Sequence, residues 1–214
     1  MSTIAFVVGI AVFAGMVTFR GCASAEDAPD AIPIYRTIGE AARGMEEAAA
    51  LSIDPLEDFF ADKKLSEKQE RDLQNAERLI TGVIAFDPDQ FNAYVAVGRI
   101  EFALADYDQA ELALREAVRT MPDNPKGDLA LIVAETHYLL SRTLFEKRLY
   151  AAAIDEAEIA LALAPGNVDN LTARAAALIQ VGKSDQAAKD LAEALDRQPY
   201  HPRANRLQKL LAGD

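Results

Sequence analysis

The chain has 214 residues and a formal net charge of −12, with 34 Asp and Glu against 22 Lys and Arg. That length suffices for one sizeable core plus a separate terminal segment. The negative balance, without a dense Lys/Arg cluster after residue 40, argues against a nucleic-acid partner, and Cys22, the single cysteine, gives neither an internal disulfide nor a thiolate metal site.

The first element, residues 1–22, is dominated by the uncharged run IAFVVGIAVFAGMVTF from Ile4 to Phe19, whose large side chains include Ile4, Phe6, Val7, Val8, Phe13 and Phe19. Together with Ser2 and Thr3, a helix of about 18 residues would reach roughly 27 Å, enough for a thin bilayer. A retained single-pass anchor in a bacterial-type plasma membrane is the first expectation. A cleaved secretory signal is the second, since Ala23, Ser24 and Ala25 give the small-x-small pattern that precedes cleavage. Against cleavage, no Lys or Arg precedes the run, and Arg20 separates it from that site. Lipid attachment at Cys22 is a third reading, opposed by Arg20. Arg20 and Arg36 after the run favour a cytoplasmic body; the small-residue site and the Ala-, Asp- and Pro-rich linker at 23–33 favour the extracytoplasmic side, to which the sequence leans weakly.

Residues 34–65 are expected to form two capping helices, Ile34 to Leu51 and Pro55 to Lys63. Ser66 followed by Gln69 makes a capping box for a helix running to about Phe86. Beyond it, Pro88, Pro122, Pro165 and Pro199 each close a helical run, at spacings of 34, 43 and 34. Ala76, Ala110, Ala153 and Ala187 keep the same intervals, and small residues at such places let two helices approach closely. Strand signals are almost absent, so the class is all-α.

These residues carry a resemblance to the tetratricopeptide-repeat family. The best unit, residues 91–124, places Tyr94, Val97 and Gly98 on a first helix and Tyr107, Ala110, Leu114 and Ala117 on a second, before Pro122. The next, 125–167, has Leu140, Tyr150, Ala153, Ala157, Ala160 and Pro165; the third, 168–199, has Leu171, Ala175, Leu178, Gly182, Ala187, Leu191, Ala194 and Pro199. Ser141 replaces the usual glycine, Arg174 the usual leucine, and Glu101 and Leu144 the usual tyrosine. The resemblance implies a helix-turn-helix solenoid of about three repeats, preceded by a degenerate half-repeat at 66–90 and closed by a capping helix at 200–214. Nine extra residues in the middle unit imply a longer first helix, leaving Leu129, Ile132 and Val133 either to be covered by the capping helices near Ile34 to Leu51 or to serve as a second contact surface for a partner.

In that family the first helices line a concave groove. Carried over, the lining positions give three ladders: Val95, Tyr138 and Thr172; Arg99, Arg142 and Ala176; Phe102, Phe145 and Ile179. An apolar row beside two arginines suits an extended or helical peptide carrying an acidic residue among apolar anchors. The competing assignment for the phenylalanines is inter-helix core.

No phosphate-binding glycine loop, zinc-binding His-Glu run, nucleophile elbow or haem-attachment cysteine pair occurs. His137 sits at a packing position, where a hydrogen-bonded core histidine is the simpler reading, and His201 falls in the turn before the last helix. The sequence therefore points to a non-enzymatic interaction scaffold with no cofactor, no small-molecule substrate and no metal. Its expected partners are proteins, namely subunits of a membrane complex that it serves as accessory subunit or assembly factor; the alternative is an exported periplasmic adaptor acting in envelope or cytochrome maturation.

Overall fold

The computed structural model describes residues 31–60, 64–123 and 125–213, apart from the side chains of 54–60. Among them are nine α-helices and no strand, divided after Thr120 into two compact units.

The first unit contains α1 (Ile38–Phe60), α2 (Glu67–Phe86), α3 (Phe91–Ala103) and α4 (Tyr107–Thr120). α1 pairs with α2 and α3 with α4, while α2 joins the two hairpins by packing on α3. The core is built from Leu73, Ala76, Ile80 and Val83 on α2 with Ala93, Tyr94 and Ile100 on α3. α2 starts where its capping box dictates: Ser66 Oγ accepts from Gln69 N at 3.3 Å, and Gln69 Oε1 accepts from Ser66 N at 3.0 Å.

Two expectations for this unit are corrected. The separate capping helices form one continuous helix through Pro55. A proline inside a helix costs about 3 kcal/mol, but the buried positions Ala41, Gly44, Ala48 and Ser52 recur every three or four residues along α1, and docking that face on α2 overrides the local break. The half-repeat at 66–90 accordingly has a partner, α1, and is one arm of a full hairpin. The linker ends fastened as well. Arg78 Nη1 donates to Ala31 O at 2.6 Å, and Pro33 and Tyr35 lie against Gly82, where an added Cβ would come within 2.6 Å of Pro33 O. Tyr35 also covers Gly44.

The second unit contains α5 (Asp128–Glu146), α6 (Tyr150–Leu163), α7 (Val168–Gln180), α8 (Ser184–Arg197) and α9 (Pro202–Ala212). α5 pairs with α6 and α7 with α8; α6 packs on α7, and α9 packs on both α7 and α8. α5 has 19 residues where α3 and α7 each have 13, so the enlarged unit does lengthen its first helix, by six residues or about 9 Å. The rest of the addition lies in the lead-in that ends at Gly127, whose φ of 58° puts it in the left-handed region. α7 is capped by Asn167, whose Oδ1 accepts from Asn170 N at 3.0 Å. α9 is capped by His201, whose Nδ1 accepts from Ala204 N at 3.2 Å, and Pro202 occupies its first turn.

Candidate interaction face

In the second unit the first helices of successive hairpins stand side by side: α7 packs on α5 and on α9. The 34-residue interval that relates α5 to α7 continues into α9 and generates four rows. Glu135, Asp169 and Arg203 form the first, and Tyr138, Thr172 and Arg206 the second. Arg142, Ala176 and Leu210 form the third, while Phe145 and Ile179 share the fourth. Arg203, Arg206 and Leu210 were missed from sequence. The signal is present, since adding 34 to 169, 172 and 176 finds them, but the capping helix expected at 200–214 is in fact a fourth rung.

Two basic side chains come together on this face. Arg142 Nη1 donates to the Tyr138 hydroxyl at 3.4 Å, one turn back along α5, with Arg142 Cζ 5.7 Å from the Tyr138 ring centroid. From α9, Arg203 reaches the same neighbourhood. Burial, and after it the like charge of Arg142, push its guanidinium below the usual range, while Tyr138, Glu146 and Asp169 act in the opposite sense. The group still carries its charge at any physiological pH. α9 is held in place by His201 Nε2, 3.2 Å from Asp169 Oδ1. Beside the arginines lie half-buried Phe145 and Ile179 and exposed Leu210 (59 %). The face therefore offers two guanidiniums and a phenol next to aliphatic and aromatic surface, a combination suited to a carboxylate flanked by apolar side chains.

Of the groove residues expected from sequence, Arg99, Tyr138, Arg142, Phe145 and Ile179 are half-buried. Val95 (7 %), Phe102 (2 %) and Thr172 (0 %) are buried, as is Ala176, so these do not line an open surface. Thr172 turns its hydroxyl onto its own helix, donating to Val168 O at 2.7 Å. Phe102 packs edge-on to Tyr107 at 5.6 Å, and Phe145 repeats that contact with Tyr150 at 5.4 Å, both at 60°. The phenylalanine ladder thus serves to join the first helix of a hairpin to the second, and only Phe145 keeps part of its ring outside.

The second contact surface is also corrected. Leu129 and Ile132 are half-buried, but Val133 is buried (5 %), and the residue on offer is Leu131 at 59 % exposure. Leu131 and Val133 are 200° apart around the helix, so packing one side of α5 displays the other. His137 is indeed a hydrogen-bonded interior histidine, with Nδ1 2.7 Å from Glu156 Oε2. Among the described residues, no three His, Cys, Asp or Glu side chains assemble into a metal site. The anchor residues Ile4, Phe6, Val7, Val8, Phe13 and Phe19 lie outside the described residues, and none of the described helices is long and apolar enough to cross a membrane.

Residues 91–124 match the tetratricopeptide-repeat family model. No curated protein matches the sequence. The fold is similar to a crystal structure of MamA, at 21% identity over 69% of this chain and 84% of that one, with a TM-score of 0.58. A second MamA crystal structure aligns at 20% identity over 78% and 82% of the two chains, with a TM-score of 0.57. At such identities the likeness concerns the fold alone. The chain thus carries a tetratricopeptide repeat within an all-helical architecture of tetratricopeptide type.

Proposed function

We propose that this protein is a non-enzymatic interaction scaffold, tethered to a membrane by residues 1–22 and serving as accessory subunit or assembly factor of a larger membrane complex. It binds a partner segment, extended or helical, on the α5–α7–α9 face. The observation that carries this reading is the convergence of Arg142 and Arg203 beside Tyr138, with Phe145, Ile179 and Leu210 adjoining. A carboxylate in the partner would meet the two guanidiniums, and its apolar neighbours would settle on the aromatic and aliphatic side chains. The chain's net charge of −12 makes this local pair of cations the more discriminating, because an acidic segment gains nothing from the overall field.

Tagged full-length protein, recovered from gently solubilised native membranes, should bring down stoichiometric partner subunits. Reversing charge at Arg142 and Arg203 together (Arg142→Glu with Arg203→Glu) should cut partner recovery at least tenfold while the helical circular-dichroism signal stays intact. Undiminished recovery would remove the face from the argument.

The second reading, an exported adaptor released after Ala25, is motivated by the Ala23-Ser24-Ala25 pattern. N-terminal sequencing of the native protein separates the two: a start at Glu26 supports release, and an intact N-terminus supports the tether.

A further inference from the structure

One flank of α1 is apolar and uncovered. Ala41, Gly44, Ala48 and Ser52 are buried on its α2-facing side, whereas Ile38 (81 %), Ala42, Ala49 and Ile53 (52 %) are exposed. At 100° per residue those four positions fall within about 60° of arc, and they run for roughly 22 Å along the axis. Ile34, 62 % exposed, lies apart from this strip, beside Glu40, Arg43 and Glu47. Large aliphatic side chains aligned in this way on a charged protein mark a contact surface.

The chain itself brings one occupant to this place. Residues 31–35 are clamped to the α1–α2 hairpin by Arg78 on Ala31 O and by Pro33 and Tyr35 on the glycine-floored notch. From Phe19, where the uncharged run ends, to Ala31 is twelve residues, a reach of at most about 43 Å fully extended. If the run enters a bilayer, the clamp holds the start of α1 within that distance of the lipid. We infer that α1 lies flat on the membrane surface, with Ile38, Ala42, Ala49 and Ile53 against the upper acyl region. This rests on the tethered reading of residues 1–22.

The rim of the strip fixes what kind of lipid contact it is. Glu46 is exposed at its edge, Arg43 and Glu47 are exposed farther round the helix, Arg36 precedes it, and Glu40 Oε2 accepts from Arg36 N at 2.7 Å. Those charges nearly cancel, and the body is strongly negative, so anionic headgroups offer no net attraction. The contact is apolar burial of isoleucine and alanine. It should form on zwitterionic bilayers and survive high salt, unlike a polybasic membrane patch.

The test uses the full-length chain carrying Cys22→Ser, with one cysteine introduced at Ile38→Cys, Ile53→Cys or, as a control on the exposed side of α2, Arg71→Cys. Each variant bears an environment-sensitive fluorophore and is reconstituted with phosphatidylcholine vesicles. Labels at 38 and 53 should shift to shorter wavelength and be quenched several-fold more than the label at 71 by nitroxide-bearing lipids, equally at 0.1 and about 1 M salt, where screening lengths fall to a few ångströms. Protein that floats with the vesicles but leaves those two labels in water overturns this inference and spares the tether. A blue shift without lipid quenching assigns the strip to a protein contact, whether a second copy or this chain's own apolar segment, and equally overturns it. Failure to float overturns both.

Discussion

Gly98 in the first unit and Ser141 in the second stand at the same point of their hairpins, yet they close them in different ways. Gly98 lets the first helix come against Leu114 so closely that an added Cβ would lie 2.6 Å from its Cγ and Cδ2. Ser141 instead spans the gap, its hydroxyl donating to Ala153 O at 2.7 Å. The contrast extends outward. Tyr94 and Ala113, both buried and without a charge between them, correspond to His137 and Glu156, joined at 2.7 Å. In the last hairpin, Arg174 binds Asp190 through two bonds of 2.8 and 2.7 Å where the family prefers leucine. One backbone design therefore tolerates either hydrocarbon contact or polar ties across the same seam, provided each buried polar group is answered.

Glu101 and Leu144 give that lesson its sharpest form, since they too are equivalent. Leu144 is wholly buried hydrocarbon, whereas Glu101, 7 % exposed, is a carboxyl pushed up to about 8 by burial, by its hydrogen bond with Glu77 and by the charges of Glu77 and Asp106. The first unit thus accommodates an acid in an apolar slot by keeping it protonated and bonded to a second carboxylate. Placing a glutamate in the second unit, Leu144→Glu, should be the most damaging exchange, costing more than about 4 kcal/mol by chemical denaturation. The reciprocal Glu101→Leu should fold and be more stable than the parent above pH 8.

Next in size is Asp190→Ala, which leaves the Arg174 guanidinium partly buried without its carboxylate. A loss of about 3 kcal/mol in urea unfolding is expected, and an unchanged midpoint would mean that the pair contributes nothing.

The pH dependence of the first unit follows from Glu101. Its folded value, about 8, lies above the ordinary 4.5, so folding takes up a proton in the window between them. The associated stability is fully present below pH 4.5, falls as pH rises through 8, and is flat beyond. The slope is at most about 1.4 kcal/mol per pH unit. Glu101→Gln should flatten it, which a series of urea titrations from pH 5 to 9 would read directly.

The smallest effects concern the seam itself. Gly98→Ala gains helix propensity but presses on Leu114, itself fully buried, for a net cost of about 1–2 kcal/mol. Ser141→Ala should lose about 1 kcal/mol through the missing hydrogen bond. Equal and negligible changes at both sites would abolish the distinction between the two seams.

Much of this architecture could be read from the residues. The 34- and 43-residue intervals locate the small buried alanines, and most of the extra length goes into α5. Pro55 misled because its local penalty is visible in sequence while the compensating face of α1 is assembled only against α2. Phe102 was ambiguous for a related reason. Its spacing fits both a groove and a core, and only the position of Tyr107 decides between them. The acid state of Glu101 was out of reach, because it depends on Glu77, 24 residues away, arriving on a neighbouring helix. Arg203, Arg206 and Leu210, by contrast, follow from the 34-residue interval alone, which runs on into the helix that closes the stack.

The most direct test of the recognition face is site-specific photocrosslinking in native membranes, with a photoreactive phenylalanine derivative replacing Tyr138 on α5 and, in a separate variant, Glu158 on the exposed side of α6. Position 138 should capture one protein segment in which an aspartate or glutamate lies within a few residues of leucine, isoleucine or phenylalanine, and position 158 should capture none of it. Capture of that partner from 158 but not from 138 would contradict the assignment of the α5–α7–α9 face as the binding surface.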